Sequence, residues 1–307
     1  MIFHNKEKDK PYLAHYPIFF NVLFKYLGYL SIINKDRKMY LEKAKQLIND
    51  EYNTKYILAK TEHAIAFMNE KIKHSYQVLG AGNFLLRHEK YFAKYNKEEI
   101  SYYQSIALLH DVYRFQEALE LEKKHKVDHG VCGAEYLSQI KFYNKKDALL
   151  AIKHHGHLIE RLYEDEAYQK LSKKEQKHIQ QVTFFVRDAD KLANLYLLAT
   201  HLDDIRPVFF SEKTYQNPHD KNISPIVMAD FMAQKCVTKS DVRNFADHAL
   251  MIISWTYDIN YESSFIFLEK LHIFEKLFDL FAEYWRPEDR KNFQKTIQEF
   301  IKIRTSS

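Results

Sequence analysis

Seven residues scattered through the middle of the chain share one chemical character: His74, the adjacent pair His110-Asp111, His129, the pair His154-His155, and Asp190. Imidazole nitrogen and carboxylate oxygen together suit manganese, iron, zinc or magnesium, and no cysteine stands among them to select a soft thiolate site. The apolar run Ile106-Ala107-Leu108-Leu109 leads straight into His110-Asp111. A carboxylate buried beside such a run costs several kcal/mol unless something compensates it, and a cation would. Asp190 shares a helical stripe with Val186, Ala193 and Leu197, spaced i, i+4, i+7 and i+11, so it faces apolar company. Asp188 points about 200° away, with Lys191 three residues on, and is expected to form a solvated ion pair with it.

The order of these residues resembles a known family. The segments His74-Ser-Tyr-Gln-Val78, Ala107-Leu-Leu-His-Asp-Val-Tyr-Arg-Phe-Gln116, Val127-Asp-His-Gly-Val-Cys-Gly-Ala134, Ala151-Ile-Lys-His-His155 and Val186-Arg-Asp-Ala-Asp-Lys-Leu192 look like the ordered motifs of HD-domain phosphohydrolases. Ser254-Trp-Thr-Tyr-Asp-Ile-Asn-Tyr-Glu-Ser-Ser-Phe265 is similar to a C-terminal segment of one bacterial subgroup, in which glycine usually stands where this chain has Tyr113. The resemblance implies that His74, His110, Asp111 and Asp190 hold a divalent ion (manganese, iron, magnesium, zinc or nickel). It implies that His129 and His155, with His154 beside them, hold a second ion or contact substrate. Arg114 and Lys191, cations close to these ligands, are the expected phosphate partners and join Asp111 as candidate catalytic residues. Bland alternatives are an Arg114–Glu117 pair, a surface His129 behind an Asp128 N-cap, and His154 turned about 100° from the stripe of Ala151 and His155.

Such a site would lower the pKa of a bound water and stabilise charge on phosphoryl oxygens. Hydrolysis of a phosphate ester follows, with a small phosphorylated substrate and, by the resemblance, a nucleotide mono- or diester. Three alternatives stay open at this point: an iron-dependent oxygenase on the same scaffold, a regulatory module that binds a nucleotide without turning it over, and a nucleic-acid binder using the mild positive charge.

The elements that must position these residues are helices. Glycine and proline number only 6 each, which removes the turn punctuation of a many-stranded fold. Hydrophobic spacing predicts helices over 74–94, 98–120, 128–142, 145–160 and 172–202. The expected architecture is an all-α HD-domain bundle with additional N- and C-terminal helices. It comprises a helical extension over 1–60, the core over 61–202, a long loop and candidate lid over 203–226, and C-terminal helices over 227–307. Ser240 is the expected N-cap of a helix reaching Tyr257, followed by one helix from Tyr261 to Trp285 and a last one from Pro287.

With 46% hydrophobic residues the chain can bury a substantial core, which excludes global disorder. A net charge of +5 spread without basic blocks indicates no clear nucleic-acid site, and the alternation Lys90-Tyr91-Phe92-Ala93-Lys94-Tyr95 fits an amphipathic helix. The aromatic stretch Pro17 to Ile33, broken by Asn21 and Lys25, is short for a membrane span and is expected to form a buried or interfacial helix. No secretory signal is evident, and Cys132 and Cys236 are expected to be free thiols, so a cytoplasmic protein is expected.

Overall fold

The computed structural model describes residues 39–306, apart from 212–213 and the side chains of 39 and 202–209. The expected helical segment from Pro17 to Ile33 and most of the N-terminal extension lie outside the described residues. Among the described residues every regular element is helical. They are α1 (Met39–Leu58), α2 (Glu62–His88), α3 (Lys97–Leu109), α4 (Arg114–Glu122), α5 (His129–Ser138), α6 (Lys146–His154), the short α7 (Glu160–Glu164) and α8 (Glu166–Gln169), and the long α9 (Lys173–Phe209). After these come α10 (Pro225–Met232), α11 (Phe245–Ser254), α12 (Glu262–Lys270), α13 (Ile273–Leu280) and α14 (Pro287–Thr305). None of the described helices is long and apolar enough to cross a membrane.

Local chemistry sets the helix starts. Thr61 caps α2 by accepting from the Ala64 amide, and Asn96 with Glu99 forms a reciprocal capping box at α3. Asp128 caps α5 by accepting from the Gly130 and Val131 amides, and Pro287 opens α14. Two helices predicted as continuous are broken. The segment 98–120 is interrupted at His110–Tyr113, where the Val112 amide reaches Leu109 and the Arg114 amide reaches Asp111 in tight turns. The segment 261–285 is broken at His272, which adopts a left-handed conformation with φ 52°. Further upstream, a 3₁₀ turn over Lys239–Asp241 displaces the expected N-cap from Ser240 to Asn244, whose side chain accepts from the Asp247 amide. The helical backbone of α9 resumes after a kink at His201 and runs to Phe209, into the stretch expected to be loop.

The core lies around α9. This helix packs against α2, α3 and α6 through one part of its surface and against α12 and α13 through another, so it is covered on both sides. Phe185 is fully buried within an aromatic group with Phe92 and Tyr103, and Phe92 also meets Tyr261. The aromatics of 90–95 therefore pack inward while the Lys90 side chain is exposed.

Gly130 marks a tight crossing. A Cβ added there would stand 2.7 Å from the Lys153 carbonyl oxygen and 3.1 Å from that of Ile152, both backbone atoms of α6. Gly130→Ala is expected to force α5 and α6 apart and destabilise the fold by about 1–3 kcal/mol. Chemical denaturation checks this, and a variant as stable as the parent would contradict the crossing.

Candidate metal centre

Five elements meet around Asp111. Helix α2 brings His74, the turn between α3 and α4 brings His110 and Asp111, the first residue of α5 is His129, and His155 follows the last turn of α6. Helix α9 completes the set with Asp190. The two oxygens of Asp111 look in different directions. Oδ2 lies 3.6 Å from His110 Nε2, and Oδ1 lies 3.3 Å from both His129 Nε2 and His155 Nε2. Asp190 Oδ1 stands 2.9 Å from His74 Nε2 and 3.8 Å from His110 Nε2. His74, His110 and Asp111 make one group of donors able to hold a metal ion, and Asp111, His129 and His155 make another, with Asp111 common to both.

The donor atoms fit a divalent cation. The Nδ1 of His110 donates to the Ala107 carbonyl at 2.8 Å, and the Nδ1 of His155 donates to the Ile152 carbonyl at 2.7 Å, which leaves each Nε2 as a forward-facing lone pair. His110 Nε2 is buried without a hydrogen-bond partner among the described residues. An orphaned buried acceptor is costly, and a metal ion relieves it. The other group has Nε2 of His129 and Nε2 of His155 3.2 Å apart, each 3.3 Å from Asp111 Oδ1. Ligands about 2.0–2.1 Å from a four-coordinate ion are separated by about 3.3–3.4 Å, so this triangle has the size such an ion requires.

Protonation states agree. Burial pushes the His110 imidazole down to about 4 and the His129 imidazole down to about 3, against the opposing pull of Asp111. Burial alone would raise Asp111, but Lys71, Arg114 and His110 outweigh it and hold the carboxyl well below its ordinary value. Asp190 is likewise held low against burial, with His74 the strongest partner. Near neutral pH these two imidazoles are neutral and the two carboxylates ionised, the forms that bind metal. As pH falls below about 6.5 the unfolded chain takes up protons on these histidines while the folded chain does not, so folding stability declines toward about pH 4. Thermal melting of the metal-free protein in chelator between pH 7 and pH 4 is expected to show that decline, and a flat profile would contradict the buried neutral imidazoles.

The remaining sequence candidates fall in different places. Arg114 does two things, with Nε 3.3 Å from Asp111 Oδ1 and Nη1 2.7 Å from Glu117. Lys71, which sequence reasoning passed over, brings its ammonium to 3.1 Å from Asp111 Oδ2. It lies three residues before His74 and therefore on the same helix face, a signal that was available. His154 is not with the ligand group. Its Nε2 meets Asp165 at 2.9 Å, and its Nδ1 lies 3.4 Å from Nδ1 of His157, whose own Nε2 meets Asp128 at 2.8 Å. Burial lowers its pKa, with Asp165 opposing.

The expected Asp188–Lys191 surface pair is wrong. Asp188 is fully buried and accepts hydrogen bonds from the Asn260 and Tyr261 amides, the Asn260 side chain and the Ser264 hydroxyl, while Lys191 gives its ammonium to Asp258 at 2.8 Å. The reason is that the face of α9 opposite Asp190 is itself covered by the C-terminal helices. Lys191 as a phosphate partner is corrected with it, since its ammonium turns to Asp258 of the C-terminal segment whereas Lys71 and Arg114 reach Asp111. Tyr113, in the turn after Asp111, packs beside Gly133 of α5. A cavity of about 360 Å³ opens at His129, lined also by Lys126, Asp128, Lys153 and His157.

Residues 72–195 match the family model of the HD domain. No curated protein matches the chain, and no solved structure does.

Proposed function

We propose that the protein hydrolyses a phosphate ester, a nucleotide mono- or diester, at a centre of two divalent ions bridged by Asp111. The observation that carries this reading is the division of the Asp111 carboxylate, with one oxygen toward His110 and the other 3.3 Å from both His129 and His155. A carboxylate so placed would offer one donor oxygen to each of two ions. When bound, divalent ions supply a water of lowered pKa and positive charge beside the phosphoryl oxygens.

The residues of the chain do the rest. Asp190 and His74 complete the donors on one side of Asp111, and His129 and His155 those on the other. Lys71 and Arg114, whose cationic groups lie 3.1 and 3.3 Å from Asp111 oxygens, bind the phosphoryl group and neutralise its growing charge. These two cations favour a phosphorylated substrate over the oxygenase alternative. The cavity at His129, with Lys126 and Lys153 in its lining, takes the remainder of the substrate.

The test is metal analysis of the purified protein beside a phosphate-release screen over nucleotides and generic phosphomono- and diesters. Bound divalent metal with phosphate release is the expected result. Iron retention with oxygen consumption would put the oxygenase in its place, and nucleotide binding without product would favour the regulatory module.

A further inference from the structure

The C-terminal segment 254–265 lies outside the residues that match the HD domain, yet it grips the helix that carries Asp190. Arg187, one turn before Lys191 on α9, is almost completely buried. Its Nη2 donates to Asp258, which also receives the Lys191 ammonium at 2.8 Å. Its Nη1 donates to the carbonyl oxygens of His154 at 2.9 Å, of His155 at 3.0 Å and of His157. These carbonyls close the C-terminal end of α6, where helical carbonyls lack partners within the helix and a cation is favoured.

His155 sits in this same short turn. Its ring is held to the turn by the 2.7 Å bond from Nδ1 to Ile152, so the path of the backbone over 154–157 decides where its Nε2 stands. We infer that Arg187, locked by Asp258, is a positioning residue for His155, and that the C-terminal segment thereby governs whether the Asp111, His129 and His155 triad holds its ion. The inference rests on the two-ion centre proposed above. A planar guanidinium is required because one arm must serve converging carbonyls while the other meets a carboxylate, which a single ammonium does not reproduce. The triad tolerates little movement, since its donors already stand 3.2–3.3 Å apart and a displacement of about 1 Å takes a ligand out of range.

The experiment compares the full-length protein with Arg187→Lys, His155→Ala and Asp258→Asn, titrated with Mn²⁺ or Zn²⁺ after chelation. Ions bound per chain are counted, and melting temperature and helicity are followed in chelator. Wild type is expected to hold two ions. His155→Ala is expected to hold one, and Arg187→Lys to keep wild-type helicity and one ion while the second binds about 10–100-fold more weakly. Asp258→Asn is expected to weaken the second ion in the same direction, and it carries the test if Arg187→Lys does not fold. Two ions of wild-type affinity in Arg187→Lys or, where that variant does not fold, in Asp258→Asn would overturn the inference alone. So would equal weakening of both ions in step with lost helicity. A wild type holding one ion overturns the inference but leaves a mononuclear hydrolase, whereas a wild type holding none overturns both readings.

Discussion

Asp111→Asn is expected to lose phosphate release by about 10³-fold or more and to weaken metal binding on both sides of the residue at once. The substitution keeps the shape of the side chain but removes the charge that faces both donor groups. Its effect on the fold should be small by comparison. Arg114 retains Glu117 at 2.7 Å, and Lys71 is partly exposed, so neither cation is left stranded in the interior. Metal analysis, a phosphate-release assay and melting in chelator together separate the two effects. Loss of activity with both ions still bound at wild-type affinity would show that Asp111 does not bridge.

The second large effect concerns stability. Asp188→Asn is expected to destabilise the protein by about 3–5 kcal/mol, lowering the melting temperature by roughly 10 °C. The carboxylate of Asp188 accepts from two backbone amides, the Asn260 amide group and the Ser264 hydroxyl, all in the interior. An asparagine of the same shape offers one acceptor oxygen and turns an NH₂ group toward donors, leaving buried N–H groups unpaired. Because Asp188 faces the C-terminal segment and Asp190 faces His74, the ion on the His74 and Asp190 side is expected to bind in the folded variant as in wild type. Wild-type stability in Asp188→Asn would mean that this network contributes little. Two aspartates two residues apart on α9 thus divide the work, one toward the metal centre and one toward the fold.

Much of this was legible one helix at a time. The scarcity of glycine and proline pointed to helices, and the stripe through Val186, Asp190 and Ala193 turned Asp190 and Asp188 to different faces of α9, although Asp188 is the fully buried one and Asp190 stays partly exposed. The run Ile106–Leu109 showed that Asp111 would be buried and need a compensating charge. Periodicity carried α3 through His110 and Asp111 as one continuous helix, whereas the chain turns there and so gives Asp111 access to donors on both sides. Such a turn leaves no mark when neither glycine nor proline makes it.

By itself the sequence determined which residues could act as ligands and on which helix stripes they lie, because spacing within a helix is a local property and a buried charge announces its need for a partner. Which partner each residue takes was decided only by the tertiary structure. Asp188 looked solvated because one helix shows only its own two faces, and the second face of α9 becomes interior when residues 258–264 pack upon it. Arg187 meets Asp258 across 71 positions of sequence, and His154 leaves its neighbour His155 to pair with Asp165. Those choices rest on packing between elements, where distance along the chain carries no information about distance in space.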